Sequence, residues 1–297
     1  MKEKFYIGVD GGGSGTRVLV ADQNLTIISS AKGPPSALGQ GIEKAWKAIL
    51  ETIALAFTNV NANVPMLSEI AIGLGLSGVN NVLWKNEFML RNPGFKNIVV
   101  DTDGFTTLLG AFKHNPGVIV AIGTGSVGVV YNKDGSRQSV SGWGYPAGDE
   151  ASGAWLGLLA SSITQKCLDG RRPMSPLAEE VLKFCAEDGK DFLTWLGDAN
   201  QNTFARLAPL VFKVKDRDPQ AMELLTNAGM EITEMVLALD PKLELPLSIC
   251  GRLGEELIDY LPPNIKSRHQ KAHGDSAHGA LLMIYEQTKN ESSVGKV

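Results

Sequence analysis

The chain has 297 residues and a formal net charge of −4, a length that suits two domains of ordinary size rather than one small core. Its charge supplies no excess positive field, and the one close basic pair, Arg171-Arg172, is followed at once by Pro173, so no nucleic-acid partner is expected. The three cysteines, Cys167, Cys185 and Cys250, are widely spaced without a C-x-x-C, which argues against a disulfide framework, a zinc site or an iron–sulfur site.

The opening residues read straight into a strand without an apolar leader, and no run of about 18 apolar residues follows, so a cytoplasmic protein with no membrane partner is expected. Tyr6, Ile7 and Val9 form one short apolar strand, and Val18 to Ala21 form another that ends at the turn-like Asp22-Gln23-Asn24. Between them "DGGGSGT" puts glycines at the tip of a hairpin. Bare backbone lets a ligand approach closely, and successive N–H groups there can form an anion-binding concavity. A dinucleotide fingerprint is excluded because the loop runs into a β-branched strand instead of a helix, and no G-x-x-x-x-G-K-[ST] occurs. A plain glycine-tipped hairpin fits this stretch alone equally well.

After "KGPPSALGQG", residues 42–57 carry Ile42, Ala45, Trp46, Ile49, Ile53 and Phe57 at helical spacing. A strand in "EIAIGLGLSGV" and a helix near "NNVLWKNEFML" follow. The strand "NIVV" then runs into "DTDGFTTLLGAFK", where Asp101 or Asp103 caps a helix beginning near Gly104. His114 reads as a helix C-terminal cap or a hinge position. Residues 117–135, "GVIVAIGTGSVGVVYNKDG", repeat the first design: apolar strand, G-x-G-S loop, apolar strand, tight turn. Two such hairpins suggest two domains, each offering a phosphate-binding loop to a shared cleft. Beyond residue 150 the pattern is helical, with breaks at "DGRRPMSP", "RLAPL", "DRDP" and "LDPKLELP"; then strand-like "LPLSIC" leads to "GRLGEEL", and a last helix runs from about Ser276 through Gln287. His269, His273 and His278 are loosely spaced in what reads as an exposed connection, not a metal site.

The duplicated strand–glycine loop–strand, the acidic strand end before its second copy, and "GWGYPAGDEASGAW" after it resemble the N-acetylglucosamine kinase and BadF/BadG-type ATPase family of the actin-like ATPase and sugar kinase superfamily. The resemblance covers nearly the whole chain. It implies an α/β fold of two actin-like ATPase (ribonuclease H-like) domains flanking a nucleotide and substrate cleft. These would be residues 1–114, with the segment from about 276 to 297 packing back on them, and residues 115–275. It also implies ATP and Mg²⁺ as cofactors, a small-molecule sugar as partner, and transfer of the γ-phosphate to a hydroxyl of N-acetylglucosamine or glucosamine. Whether the chain is a monomer or a homodimer is not set by the sequence.

Residue by residue, Asp10 ends the first strand and is suited to hold Mg²⁺ directly or through water; its alternative is an Asx cap of the turn. Gly12, Gly13, Ser14 and Thr16 would supply N–H and hydroxyl donors to the phosphates, and Thr124, Gly125 and Ser126 would do the same from the second loop. By the family's motif, Gly251 and Gly254 are close-approach points for the adenosine; Arg252 either stacks on adenine or points to solvent. Ser77, Gly142, Trp143 and Asp149 are the implied sugar contacts, with Glu150 supporting the loop or the metal and a buried core role as the alternative for Trp143. The family's usual Asn after the first hairpin is replaced by Ser36-Ala37. Asp103 is the implied catalytic base, with an N-cap as its alternative. Two other functions remain as alternatives. An ATPase driving a partner's conformational change would need cluster-binding cysteines at a subunit interface, and a non-catalytic sensor would need a DNA-binding module.

Overall fold

The structure is a computed structural model that describes residues 5–294; residues 1–4 and 295–297, at the two ends of the expected domains, lie outside the described residues. The chain divides into two compact units, Met1–Pro116 with Lys271–Val297, and Gly117–Gln270.

In chain order the first unit contains β1 (Phe5–Gly11), β2 (Thr16–Ala21), β3 (Ile27–Gly33), α1 (Ile42–Thr58), β4 (Ile70–Leu76), α2 (Val82–Leu90), β5 (Asn97–Asp101) and α3 (Asp103–Phe112). The second contains β6 (Gly117–Ile122), β7 (Ser126–Tyr131), β8 (Arg137–Ser141), α4 (Gly153–Leu168), α5 (Pro176–Glu187), α6 (Phe192–Asp198), α7 (Gln201–Ala205), α8 (Ala208–Val214), α9 (Pro219–Leu239), β9 (Leu247–Cys250), α10 (Arg252–Leu257) and α11 (Pro263–Lys266). The last helix, α12 (Ser276–Val294), belongs to the first unit.

The first sheet has the order β3-β2-β1-β4-β5, with β1 antiparallel to β2 and parallel to β4. Its two faces follow from the alternation along β1 and β4. Ile7 and Val9, with Ile70, Ile72 and Leu74, join the core that includes Ile49, Ile53 and Phe57 of α1. Burying each such side chain contributes about 1.5–3 kcal/mol. The opposite face carries Tyr6 and Gly8 beside Ala71 and Gly73. A Cβ on Gly8 would lie 2.1 Å from the carbonyl oxygen of Ala277, and one on Gly73 2.0 Å from that of Ala280, so bare strand backbone is what lets α12 lie directly on the sheet. Tyr6, Leu281 and Ile284 seal the far end of that contact.

The second sheet, ordered β8-β7-β6-β9, repeats the antiparallel hairpin and the parallel neighbour on a smaller scale. Val118, Val120 and Ile122 of β6 feed a core shared with α4, α5, α8 and α9. Asp218 starts α9 by accepting from the Gln220 amide at 2.9 Å, with Pro219 at the first helical position.

The α/β class and both hairpins are as expected. Two strands, β3 and β8, were not expected, because their sequences "IISSAKG" and "RQSVS" lack an apolar run. Both are sheet edges, half exposed along their length, where hydrogen bonding to one neighbour is enough to hold a polar strand. The helical region has further breaks at residues 188–191 and 199–200, the first containing Gly189 in the left-handed region.

Candidate active site

The first glycine loop spans residues 12–15 and is closed by the Gly12 amide donating to the Gly15 carbonyl at 3.0 Å. Its carbonyls are held by the protein. Gly12 O accepts from the amides of Ser36 and Ala37, both at 3.2 Å, Gly11 O accepts from the Ser77 amide at 2.9 Å, and Gly13 O accepts from Gln40 Nε2 at 3.0 Å. Among the described residues no protein acceptor is assigned to the Gly13 or Ser14 amide, and both residues are exposed. A loop whose acceptors are occupied and whose donors are open favours an anion. Thr16 departs from expectation. It is buried, and its hydroxyl is engaged by Pro34 O and Ser36 Oγ, each at 2.6 Å, so it braces the turn and is not open to a phosphate. Ser36, at 1% exposure, is part of the same brace and not a substitute for a sugar-binding Asn.

The second loop is built alike. The Gly123 amide donates to Gly125 O at 2.9 Å, while the carbonyls of Gly123 and Thr124 accept from the Gly153 and Ala154 amides in the first turn of α4. Thr124 and Gly125 are partly exposed. Ser126 corrects the expectation as Thr16 does. It is buried, and its hydroxyl donates to Glu150 O at 2.6 Å. In each loop the hydroxyl at the start of the returning strand points inward and the one at the tip, Ser14 or Thr124, remains.

Asp149 is also placed differently from an open sugar contact. It is 5% exposed, accepts from Gln201 Nε2 at 2.8 Å and from the Ser126 amide at 3.5 Å, and lies so close to Gly125 that a Cβ there would meet its Oδ2 at 2.9 Å. Burial raises its pKa, opposed by the hydrogen bond from Ser126. Glu150 accepts from Ser141 Oγ at 2.6 Å and so ties the loop to β8. Trp143 is 89% exposed, which rules out the buried alternative; Gly142, in the left-handed region at φ 72°, precedes it.

The carboxylates of the first unit gather on the α12 face. Asp10 pairs in register with Gly75, and Gly75 with Asp101. Burial pushes the Asp10 carboxyl from 3.8 up to about 6; a hydrogen bond from Ser276 opposes the rise, and the charges of Asp103 and Asp275 add to it. Asp103 is likewise raised by burial, against a hydrogen bond from the Gly104 amide at 2.9 Å. For Asp275 burial would raise the pKa, but the ring and amide of His278 and the charge of Arg17 outweigh it and hold it at about 2. Arg17 forms an ion pair with Asp275. The expected cap of α3 is corrected. Thr102, not Asp101 or Asp103, caps it by accepting from the Phe105 amide at 3.1 Å, and the helix begins at Asp103. Asp101 instead accepts from its neighbour's amide, Thr102 N, at 2.8 Å. Asp10 offers a single hard carboxylate in a half-buried position, which suits an Mg²⁺ that keeps most of its water ligands.

Gly251 sits at φ 87°, where an added Cβ would lie 2.2 Å from the Ile122 carbonyl; this turn requires glycine for the fold itself. Gly254 is buried against Ile249. The Arg252 side chain is 95% exposed and lies 3.5 Å from Glu256, a placement that fits both of its alternatives. His269 accepts from the Ile249 amide at 3.1 Å, and His278 bonds Asp275 at 2.7 Å. The stretch around them is thus partly structural, and Arg268 adds an ion pair with buried Asp240 at 2.9 Å. No group of three or more His, Cys, Asp and Glu that could hold a metal is found among the described residues. Missed by the sequence reading were Gln40, Thr106, Gln201, Asp275 and Ser276, which reach the site through contacts distant in sequence. "GDSAHG" signals a helix start but not what that start touches.

Duplicated glycine hairpins on two ribonuclease H-like sheets, with half-buried carboxylates beside the first, define a two-domain ATP-binding protein of the actin-like class. The chain belongs to the BadF/BadG/BcrA/BcrD ATPase family, which matches residues 7–283. A candidate N-acetylglucosamine kinase of Chromobacterium violaceum, known from its crystal structure, is 48% identical and superposes with a TM-score of 0.92, covering 95% of this chain and 99% of that one. A glucosamine kinase of Vibrio cholerae is 28% identical over 287 residues, 96% of this chain and 97% of that one. An N-acetyl-D-glucosamine kinase of Dictyostelium discoideum is 25% identical, spanning 97% of this chain and 100% of that one. No helix among the described residues is long and apolar enough to cross a membrane.

Proposed function

We propose that the protein is a cytoplasmic ATP-dependent sugar kinase that transfers the γ-phosphate of ATP to a hydroxyl of N-acetylglucosamine or glucosamine. The observation that carries this reading is the pair of half-buried carboxylates with raised pKa values, Asp10 and Asp103, in the same unit as a glycine loop whose carbonyls are occupied and whose tip amides are open. The kinase names of the similar proteins supply the acceptor class.

In this reading the amides of Gly13 and Ser14, with the Ser14 hydroxyl, and those of Thr124 and Gly125, with the Thr124 hydroxyl, receive the nucleotide phosphates, while the Gly12 amide, given to Gly15 O, shapes the loop. Asp10 holds Mg²⁺ directly or through water, and the ion, when bound, offsets negative charge on the phosphates. Ser77, Gly142 and Trp143 orient the sugar, Trp143 offering an apolar face to the ring. Asp149 braces the second loop from below. Gly251 and Gly254 shape the turn assigned to the adenosine. Asp103 takes the proton of the acceptor hydroxyl as that oxygen bonds to the γ-phosphorus and the bond to the departing ADP oxygen breaks. Burial, by lifting the pKa of Asp103, makes it a better proton acceptor than an exposed aspartate.

An ATPase that drives a partner through a metal cluster fits less well, since Cys167, Cys185 and Cys250 are all buried. A coupled assay of ADP formation over a panel of hexoses and amino sugars tests the proposal. ADP release should depend on an amino sugar, and release at the same rate without any sugar would overturn it.

A further inference from the structure

We propose that Gln40 is a positioning residue for the first glycine loop: by holding the Gly13 carbonyl, its side-chain amide turns the Ser14 N–H to the open side, where the polyphosphate of a nucleoside triphosphate binds. This inference rests on the kinase reading of the same loop and extends it to a residue that reading does not use.

A trans peptide directs its carbonyl and the following N–H to opposite sides of the chain, so whatever holds one carbonyl aims the next amide. In the first loop the amides of Ser36 and Ala37 hold Gly12 O, both at 3.2 Å, which aims the Gly13 N–H; Gln40 Nε2 holds Gly13 O at 3.0 Å, which aims that of Ser14. The second loop has the same construction. There the Gly153 amide holds Gly123 O at 2.8 Å and the Ala154 amide holds Thr124 O at 3.2 Å, aiming the N–H groups of Thr124 and Gly125. In three of these four peptides the donor is backbone, and in the fourth it is the Gln40 side chain. A substitution can therefore remove that one donor without touching the main chain.

Packing does not set these peptides. A Cβ built on Gly12 would meet nothing within 4 Å, and one on Gly13 would meet only Gln40 Nε2, at 3.5 Å. Glycine tolerates either orientation of the peptide that follows it, and with Gly13 and Ser14 both exposed hydrogen bonding selects one. Gln40 itself stands on a fixed base. It ends a single turn, Leu38–Gln40, in which the Gln40 amide donates to Ala37 O at 3.0 Å and the Gly41 amide to Leu38 O at 3.1 Å. Leu38 is 1% exposed and gives its own amide to Ser77 O at 3.0 Å. The Trp84 ring covers Gly39, where a Cβ would meet it at 3.1 Å. A side chain presented from an anchored turn holds its acceptor in one place, as a supporting shell must for a binding loop.

The test uses the full chain carrying Gln40→Met, which keeps the length of the side chain and removes the donor, or Gln40→Glu, which keeps its shape and at neutral pH has no proton to donate. A nonhydrolysable ATP analogue is titrated calorimetrically in the presence of Mg²⁺, the backbone amide resonances are followed by NMR with and without saturating analogue, and sugar-dependent ADP release gives the sugar KM. Gln40→Met is expected to weaken the analogue about 3- to 10-fold, the range of one hydrogen bond, and Gln40→Glu at least as much, with the sugar KM within about twofold of the parent. In the parent the Gly13, Ser14 and Thr124 amides should respond to the analogue; in Gln40→Met the Ser14 response should shrink while those of Gly13 and Thr124 persist. Analogue affinity within about twofold of the parent, or an undiminished Ser14 response, overturns the proposal. Equal loss at Gly13 and Ser14 overturns it too, because the loop is then disturbed as a whole. Parent protein that releases no ADP with any sugar, while Gln40→Met still weakens the analogue, refutes the kinase reading and supports the role of Gln40.

Discussion

Replacing Asp10 by Asn should stabilise the free protein at neutral pH while abolishing its kinase activity, the outcome expected of the Mg²⁺-holding role proposed for Asp10. The Asp10 carboxyl is raised from 3.8 to about 6 in the folded chain, so between those values the folded state binds more protons than the unfolded one, and stability falls as pH rises through that window. At pH 7.5 the raised pKa corresponds to about 3 kcal/mol of unfavourable charge burial, at roughly 1.36 kcal/mol per unit. Asn has nearly the same shape and carries no charge, and what hydrogen bonding returns to the charged form is already contained in that net rise. A gain of at most about 3 kcal/mol follows at pH 7.5, and little or none at pH 4, where Asp10 is already protonated in the folded chain. Urea unfolding in chelator at the two pH values measures it. Addition of Mg²⁺ and a nonhydrolysable ATP analogue should stabilise the parent more than the variant, because a ligand stabilises only the state that binds it. Asp10→Asn less stable than the parent at pH 7.5, or equally more stable at both pH values, would refute the reasoning.

Asp103→Asn should lower kcat by about 10²–10⁴-fold with ATP affinity nearly unchanged and the melting temperature at neutral pH not lowered, since Thr102 provides the cap and burial disfavours the Asp103 charge; the same substitution at Asp101 should lower kcat much less. Thr102→Ala should cost about 1 kcal/mol of stability by denaturant unfolding. Trp143→Ala should leave stability within about 0.5 kcal/mol, because the ring is exposed, yet raise the sugar KM with the ATP KM unchanged; calorimetry showing the reverse would remove Trp143 from the acceptor site. Asp149→Ala, which unties Gln201 and the Ser126 amide, should weaken the ATP analogue more than the sugar. Asp275, held at about 2 first by the ring and amide of His278 and then by Arg17, should lose that stabilisation as pH falls from about 4 to 2, and His278→Ala should flatten the stability profile in that range more than Arg17→Ala.

Local sequence determined the parts of this protein whose causes are local. An apolar strand, a glycine tip and a returning apolar strand fold as a hairpin wherever they occur, and both hairpins were legible for that reason. The helical spacing of Ile42 to Phe57 likewise specified a buried face, and the charge and cysteine pattern excluded whole classes of partner. The family motifs singled out Asp10, Asp103 and the loop residues. Only the tertiary structure decided which groups are free to act. Ser14 and Thr16 look alike in "GGGSGT", but β2 turns Thr16 inward to Pro34 and Ser36; Thr124 and Ser126 differ in the same way. Trp143 is open to solvent and Asp149 is locked under its loop, and no spacing distinguishes those fates. β3 and β8 exist because a neighbouring strand offers hydrogen bonds, not because their own residues demand a sheet. Most of all, the raised pKa of Asp10 comes from burial and then from the charges of Asp103 and Asp275, and Asp275 arrives only when α12 crosses the glycines of β1 and β4. Burial and charge proximity are properties of atoms brought together in space, and the chain separates those atoms by nearly its whole length.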